Sequence, residues 1–382
     1  MTTMLWDGPN FSGRTNSLRT WVGLPNDTDT PVLDEQTAYV GPDAATSLSG
    51  IAPTVASELE LQALDAASAS KARAALVDLG FEHLLGQNPF TLSGGETVVV
   101  AVLAAAARQP KRLALDCALE QLDRARRLTL LAQVAENGCE IRIVDNRWRE
   151  WWTGQVEPHV VSNDLIVTEQ GAVWADLGAP TDEIYQSDMP GFAADVEIEG
   201  LEFAYERARP VFRDFDLRLA SGRNYLLRGP NGCGKSTLSK LLCGLLRPTA
   251  GEIRVNGMRV EPWKTPGRYV GYHFQNPDFQ LFGHTVAQQF DGALQGGEPE
   301  RRALGCTVDT AAHPLDLPFA MRKRVAVAAT LARRCPVTIL DEPTLCQDDR
   351  FVADLRRKLR NSSAVVISHS TCFDDFDVVD LG

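Results

Sequence analysis

The stretch Gly229-Pro230-Asn231-Gly232-Cys233-Gly234-Lys235-Ser236-Thr237 follows the pattern G-x-x-x-x-G-K-[ST], and each residue type in it has a use. Glycines let successive backbone N–H groups turn inward around a polyphosphate, and a helix opening at the end of the loop adds the positive end of its dipole. Lys235 then places a cation among the outer phosphates, and Ser236 offers its hydroxyl to Mg²⁺. The flanks suit a strand, a loop and a helix: the apolar run Tyr225-Leu226-Leu227 leads in and Leu238-Ser239-Lys240-Leu241-Leu242 leads out.

A chain of 382 residues is long for one domain and comfortable for two, each able to bury its own core. The net charge of −12 argues against a nucleic-acid or anionic-membrane surface, since either needs a basic stripe to displace counterions. The eight cysteines show neither C-x-x-C pairs nor metal-ligand spacing, and most stand in apolar runs, which predicts free thiols in a reducing cytosol. The amino terminus lacks the layout of a signal peptide, and the longest apolar run, Thr97 to Ala107, is too short to cross a bilayer. The expectation is a soluble chain.

Near the start, Gly8-Pro9-Asn10-Phe11-Ser12-Gly13-Arg14-Thr15 lines up with Gly229 to Ser236 as a worn copy of the same loop. Tyr39-Val40-Gly41 then echoes Tyr269-Val270-Gly271, and Pro53-Thr54-Val55 echoes His284-Thr285-Val286. Val100 to Asp116 matches Val325 to Asp341 without a gap, so the chain reads as an internal duplication. Short apolar strands alternate with helical stretches in each copy, the pattern of an α/β fold with a mainly parallel sheet covered by helices. Strands are expected at Asn224 to Leu227, Val337 to Leu340, Ala364 to Ile367, Arg112 to Leu115 and Glu140 to Val144. Helices are expected at Ser236 to Leu246, Val325 to Arg333, Ala353 to Leu359 and Leu76 to Leu85. The division is a first domain over 1–186, a linker over 187–194 and a second domain over 195–382. The Trp148, Trp151 and Trp152 cluster is read as packing near a domain end.

Several further motifs carry a family resemblance that covers nearly the whole chain. Leu92-Ser93-Gly94-Gly95-Glu96 looks like an ABC signature, Val337 to Pro343 like a Walker B strand, and Ser368-His369 like a switch histidine after its strand. The two copies together resemble the nucleotide-binding domains of ABC ATPases. The resemblance implies two tandem P-loop NTPase domains in a head-to-tail pseudo-dimer, each ATP lying between the P-loop of one half and the signature of the other. Within that family, His273 to Phe282 is similar to the Q-loop of the ATPase subunits of energy-coupling factor (ECF) transporters, which import vitamins and transition metals. Arg322-Lys323-Arg324-Val325-Ala326 fits the helix after the signature in the same subgroup.

What the resemblance implies for the second half is a complete set. Asn231, Gly232, Cys233, Gly234, Lys235 and Thr237 surround the phosphates; Ser236, Asp341 and Gln275 serve Mg²⁺; Glu342 polarises the attacking water; His369 meets the γ-phosphate. Tyr205 fits the aromatic that stacks on adenine, with Phe203 or a plain strand role as the other readings. This half lacks its own signature, because Pro318 removes an N–H and Phe319 fills space that glycine would leave in Leu317-Pro318-Phe319-Ala320-Met321.

The first half is the converse. Its Ser93 hydroxyl and its Gly94 and Gly95 amides can cap a γ-phosphate across the interface. Arg14 replaces the loop lysine, Phe11 intrudes on the loop, Cys117 stands where Glu342 stands and Asp145 where His369 stands, and no glutamine follows Tyr39-Val40-Gly41. The few residues before Gly8 are expected to leave no room for an adenine-holding strand. Decay at random would strike both motif sets in both halves, whereas these losses are complementary, so one working ATP site is expected. Asp123 and Asp348 fall in the loops that communicate between sites in the family, or are solvated acids.

The function expected is an ATP-hydrolysing subunit at the inner face of the cell membrane that drives a separate integral membrane component of ECF type, with no nucleic acid involved. A soluble ABC-type ATPase acting on a protein or biosynthetic intermediate is the second class. A nucleotide clamp without turnover is disfavoured by the retained Gln275, Glu342 and His369. Asn276 to Val286 in the second half and Leu48 to Val55 in the first are expected to line a groove for a membrane helix, with Phe279, Leu281 and Phe282 as its apolar contacts.

Overall fold

The computed structural model describes residues 3–7, 18–19, 21, 37–146, 159–160, 194–206, 209–230, 232–360 and 362–381. The worn loop with Phe11 and Arg14, the three clustered tryptophans, 187–193 of the expected linker and Asn231 lie outside these residues.

The first half contains β1 (Thr3–Asp7), β2 (Thr37–Val40), α1 (Val55–Gln62), α2 (Ala66–Asp78), α3 (Gly94–Ala107), β3 (Arg112–Asp116), α4 (Arg124–Ala135), β4 (Glu140–Val144) and β5 (His159–Val160). The second half contains β6 (Val196–Glu206), β7 (Arg209–Leu219), β8 (Asn224–Arg228), α5 (Lys235–Cys243), β9 (Ala250–Val255), β10 (Met258–Val260), β11 (Val270–His273), α6 (Glu298–Ala303), α7 (Phe319–Ala332), β12 (Val337–Asp341), α8 (Asp349–Leu359), β13 (Ala364–Ile367) and β14 (Asp377–Asp380). Each half builds a parallel five-stranded sheet, and the two share one strand order: β2-β3-β4-β1-β5 and β11-β12-β13-β8-β14. An antiparallel sheet, β10-β9-β6-β7, belongs among the described residues to the second half alone.

The strands lie within a residue of their expected ends, because unbroken β-branched and leucine runs suit a parallel sheet covered on both faces. Helix ends moved more. Helix α5 stops at Cys243 rather than Leu246, since Gly244 turns left-handed (φ 85°) at its C-cap. Leu76 to Leu85 is not one helix: α2 ends at Asp78, Gly80 (φ 81°) breaks the run, and Glu82–Leu84 forms a separate 3-10 turn. Helices α7 and α8 begin earlier than expected, at Phe319 and Asp349. The apolar run Thr97 to Ala107 is the buried body of α3, apolar on every side because it is covered on every side.

Sheet register corrects one pairing of the repeat. Tyr39 sits beside Ala114 and Tyr272 beside Ile339, and Ala114 and Ile339 occupy the same place in the gapless match, so Tyr39 corresponds to Tyr272 and not to Tyr269. The Tyr-Val-Gly identity was a coincidence of local sequence. In the corrected register Pro42 stands at the place of Gln275 and Asp43 at that of Asn276. Even backbone strain is duplicated: Cys117 (φ 52°) and Glu342 (φ 45°), and likewise Gln109 (φ 50°) and Arg334 (φ 51°), are left-handed.

The halves face each other about a pseudo-twofold axis. Asn276 Nδ2 donates to Asp43 Oδ2 at 3.1 Å, and equivalent residues meet in this way only beside such an axis. Among the described residues no helix is long and apolar enough to cross a membrane.

Candidate nucleotide site

The phosphate loop joins β8 to α5. Gly234 is left-handed (φ 109°), and a Cβ there would lie 2.8 Å from Phe212 and 2.9 Å from Val211, so the loop can approach the β7 floor only with glycine. Lys235 folds over its own loop, its Nζ donating to Gly229 O at 2.7 Å and Pro230 O at 3.0 Å. The ammonium is thus parked on backbone carbonyls that phosphate oxygens can replace. Thr237 is buried one turn in, and its hydroxyl lies 3.2 Å from Tyr205 Oη. Tyr205 is 61 % exposed whereas Phe203, edge-on to it at 5.0 Å, is buried in the core. Of the two aromatics only Tyr205 offers a ring face to a ligand.

Two carboxylates close the floor at the end of β12. Asp341 Oδ2 accepts from Tyr272 Oη at 3.0 Å and from Ser236 Oγ at 3.3 Å. Burial, and next the charge of Glu342, push Asp341 up to about 6. Glu342 accepts from Ser368 Oγ and from His369 N–H, both at 3.1 Å. Burial pushes it up to about 7 against the opposing pull of Lys323, which suits a group that accepts a proton from water near neutral pH. Burial first, then Lys235, hold His369 below its usual range. The first half repeats the tyrosine contact, Tyr39 Oη donating to Asp116 Oδ2 at 2.8 Å.

The start of α3 faces this floor from the other half. A Cβ on Gly94 would collide with Gln275 Nε2 and Gln121 Oε1, and these two side chains bond each other across the interface at 2.9 Å. Ser93 N–H is taken by Glu96 Oε2 at 2.7 Å, and Gly94 and Gly95 begin the helix, where backbone amides lack intrahelical acceptors. Free amides at a helix start form an anion seat.

Nearer the axis, Glu120 Oε2 accepts from the second half's Cys346 N–H at 2.7 Å while its Oε1 accepts from Asn146 N–H at 2.9 Å. Burial, then the charge of Asp145, push Glu120 up to about 7. Beside the opposite composite site, whose described residues include the buried carboxylates Asp116 and Asp145, an apolar cluster joins the halves. Leu18, Ala114, Cys117 and Val144 of the first half pack with Leu345 and Cys346 of the second, with Phe319 and Ala320 against them. Phe319 is therefore part of a contact between the halves and not merely a lost glycine. Register corrects a second pairing: Asp116 sits beside Val144 as Asp341 sits beside Ile367, so Asp145, fully buried and paired with Arg127 at 3.6 Å, stands at the place of Ser368, and Asn146 rather than Asp145 stands at that of His369.

The structure gathers Lys235, Ser236, Thr237, Asp341, Glu342 and His369 on one floor and sets Gly94 against Gln275 above it. Gln275 is engaged by Gln121 rather than turned to Asp341. Asp123 and Asp348 are helix caps, accepting from Arg126 N–H and Phe351 N–H, both at 2.9 Å, and Asp348 is also paired with Arg324. Sequence reasoning passed over Tyr272, Gln121 and Glu120, and gave Lys323 no role beyond its place in a helix motif. A tyrosine preceding the Q-loop in both copies could have flagged Tyr272; nothing local marks the others. Among the described residues no three His, Cys, Asp or Glu side chains could hold a metal by themselves. One hydroxyl and one carboxylate oxygen, Ser236 and Asp341, nevertheless converge as oxygen donors for a hard cation shared with phosphates.

Residues 212–345 match the ABC transporter family model. A putative ABC transporter ATP-binding protein of Pyrococcus furiosus is 32% identical over 202 residues, 48% of this chain and 75% of that protein. The energy-coupling factor transporter ATP-binding protein EcfA of Methanothermobacter thermautotrophicus is 33% identical over 45% of this chain and 62% of its own length. The putative HMP/thiamine import ATP-binding protein YkoD of Bacillus subtilis is 25% identical and spans more, 89% of this chain and 74% of its own. One chain of the ribosome-bound archaeal Pelota and ABCE1 assembly superposes with a TM-score of 0.68 at 19% identity, over 99% of this chain and 72% of that one, a likeness of fold. With two such domains in tandem, the chain belongs to the ABC transporter ATP-binding proteins and is an ABC-type ATPase.

Proposed function

We propose that the chain has one hydrolytic site and that its turnover powers an integral membrane transporter component of the energy-coupling factor kind. The observation that carries this is the seat of Gly94 against Gln275, which brings the signature of the first half to the catalytic floor of the second. Domains over 1–186 and 195–382 with a linker at 187–194 provide its two faces.

Asn231, Gly232, Cys233 and Gly234 would wrap the phosphates with backbone amides, Lys235 would leave its carbonyls for the outer phosphates, and Tyr205 would stack on adenine. Ser236, Asp341 and Gln275 would hold Mg²⁺, which when bound supplies charge neutralisation to the phosphate oxygens. Glu342 would orient a water and take its proton as the water oxygen bonds to the γ-phosphorus and the bond to ADP breaks. His369, Ser93, Gly94 and Gly95 would donate to the transferring oxygens from two sides, stabilising charge where it develops.

The transporter reading draws on the Q-loop resemblance and on the names of two relatives, EcfA as an energy-coupling factor transporter ATP-binding protein and YkoD as a putative HMP/thiamine import one. Tagged chain recovered from native membranes tests it. Co-recovery of a protein with integral spans is expected. If only soluble proteins are recovered and the chain never enriches with membranes, a soluble ATPase acting on a protein partner or biosynthetic intermediate replaces this reading.

A further inference from the structure

Lys323 is fully buried on α7, one turn beyond Phe319, and the site described above gives it no part. Its Nζ donates to the backbone carbonyl of Gln275 at 2.6 Å and lies 5.9 Å over the Phe319 ring. Around the ammonium stand Asp341 and Glu342 of the same half, Glu120 of the other, and Cys346. On the Q-loop side are Asp278 and the buried imidazole of His273, which is held well below its usual range by burial and then by Lys323. Burying an ammonium is costly unless it is paired and bonded, and a solvated lysine on a helix face would avoid that cost.

The arm crosses from the helix that follows the broken signature to the one peptide whose side chain must reach the metal and water side of ATP. The carboxylates make the charge tolerable there; the bond to Gln275 O gives it an effect. Gln275 has a rival partner in Gln121, so its backbone must be held if the side chain is to change partners without displacing the loop. We infer that Lys323 is a positioning residue for hydrolysis, holding the Gln275 backbone so that the Gln275 side chain can leave Gln121 and serve the nucleotide. This inference rests on the proposed role of Gln275.

The test uses the purified full chain and Lys323→Met, Lys323→Arg and Gln275→Ala, alone and combined. Groups that orient a metal ligand typically cost about 10–100-fold when removed, so Lys323→Met should lower kcat by about tenfold or more and leave KM for ATP within about twofold. Lys323→Arg should recover most of the loss. In the Gln275→Ala background Lys323→Met should add less than about twofold, because residues acting as one unit are not additive. Without nucleotide, amide exchange over 273–280 should quicken in Lys323→Met while exchange over α3 is unchanged. An unchanged kcat, a full additional loss in the Gln275→Ala background, or unaltered exchange over 273–280 would overturn the inference. Should Lys323→Met fail to fold, Lys323→Gln replaces it in the cycle and the exchange measurement under the same criteria. If Gln275→Ala keeps full turnover, the proposed catalytic set fails instead.

Discussion

Glu342 combines a left-handed backbone with burial, a pairing that a surface carboxylate avoids and that a reacting group can use. Its two oxygens are aimed by Ser368 and by the His369 amide, so replacing it should change chemistry more than folding. Glu342→Gln is expected to trap bound ATP and slow hydrolysis on the order of 10³-fold, about 4 kcal/mol of barrier. Lys235→Ala should lose turnover to a similar degree, while Arg14→Ala keeps most of it. Steady-state hydrolysis and filter retention of labelled ATP measure both, and equal losses from the Arg14 and Lys235 variants would sink the single-site reading. Tyr272 belongs at this scale too, since its hydroxyl fixes the same Asp341 oxygen that Ser236 touches.

Among the elements, α3 matters through its first turn. Gly94→Asp would drive Gln275 and Gln121 apart and set a carboxylate at the anion seat. Turnover should collapse while ATP still binds at Lys235, a split that nucleotide titration beside a hydrolysis assay reads directly; unchanged turnover would mean that the halves do not close as described. Glu120, in the loop before α4, makes a different prediction. Its ordinary value of 4.5 is raised to about 7 in the folded chain, so between those values the unfolded chain has lost the proton that the folded chain keeps. Stability from this group is therefore full below about 4.5 and falls as pH rises toward 7. Melting temperatures of Glu120→Ala across pH 5 to 7 should decline less steeply than those of the parent chain, and parallel curves would show that Glu120 is ionised in the fold.

For the whole molecule the question is where motion is delivered. Phe279 is 65 % exposed and Phe282 82 % exposed beside the Q-loop, and Ile51 of the first half is also exposed, whereas Leu281 is buried and belongs to the core. Of the three apolar side chains expected to meet a membrane helix, Phe279 and Phe282 are exposed and Leu281 is not. Phe279→Ser with Phe282→Ser should leave ATP affinity unchanged and abolish co-recovery of a membrane component, and retained co-recovery would place docking elsewhere. The Glu120 contact and the apolar cluster around Cys117, Cys346 and Phe319 also tie the halves together.

Short-range chemistry was legible in the residues themselves. The glycine spacing before Lys235, the Asp341-Glu342 pair after an apolar strand, Ser93-Gly94-Gly95 before a helical run and the gapless match of Val100 to Asp116 with Val325 to Asp341 are local patterns, and α/β organisation in two copies followed from them. Tertiary structure decided what depends on docking. Only sheet register could pair Tyr39 with Tyr272, because identity in a short strand is weaker evidence than hydrogen-bonded neighbours. Only the packed interface could turn Gln121 toward Gln275 and gather Leu18, Val144 and Phe319 into one apolar cluster. Lys323 shows the limit most plainly. In the sequence it is one basic residue among Arg322 and Arg324 on a helix, where solvation is the default, and its burial against Gln275 exists only because α7, the Q-loop and β12 converge on one point.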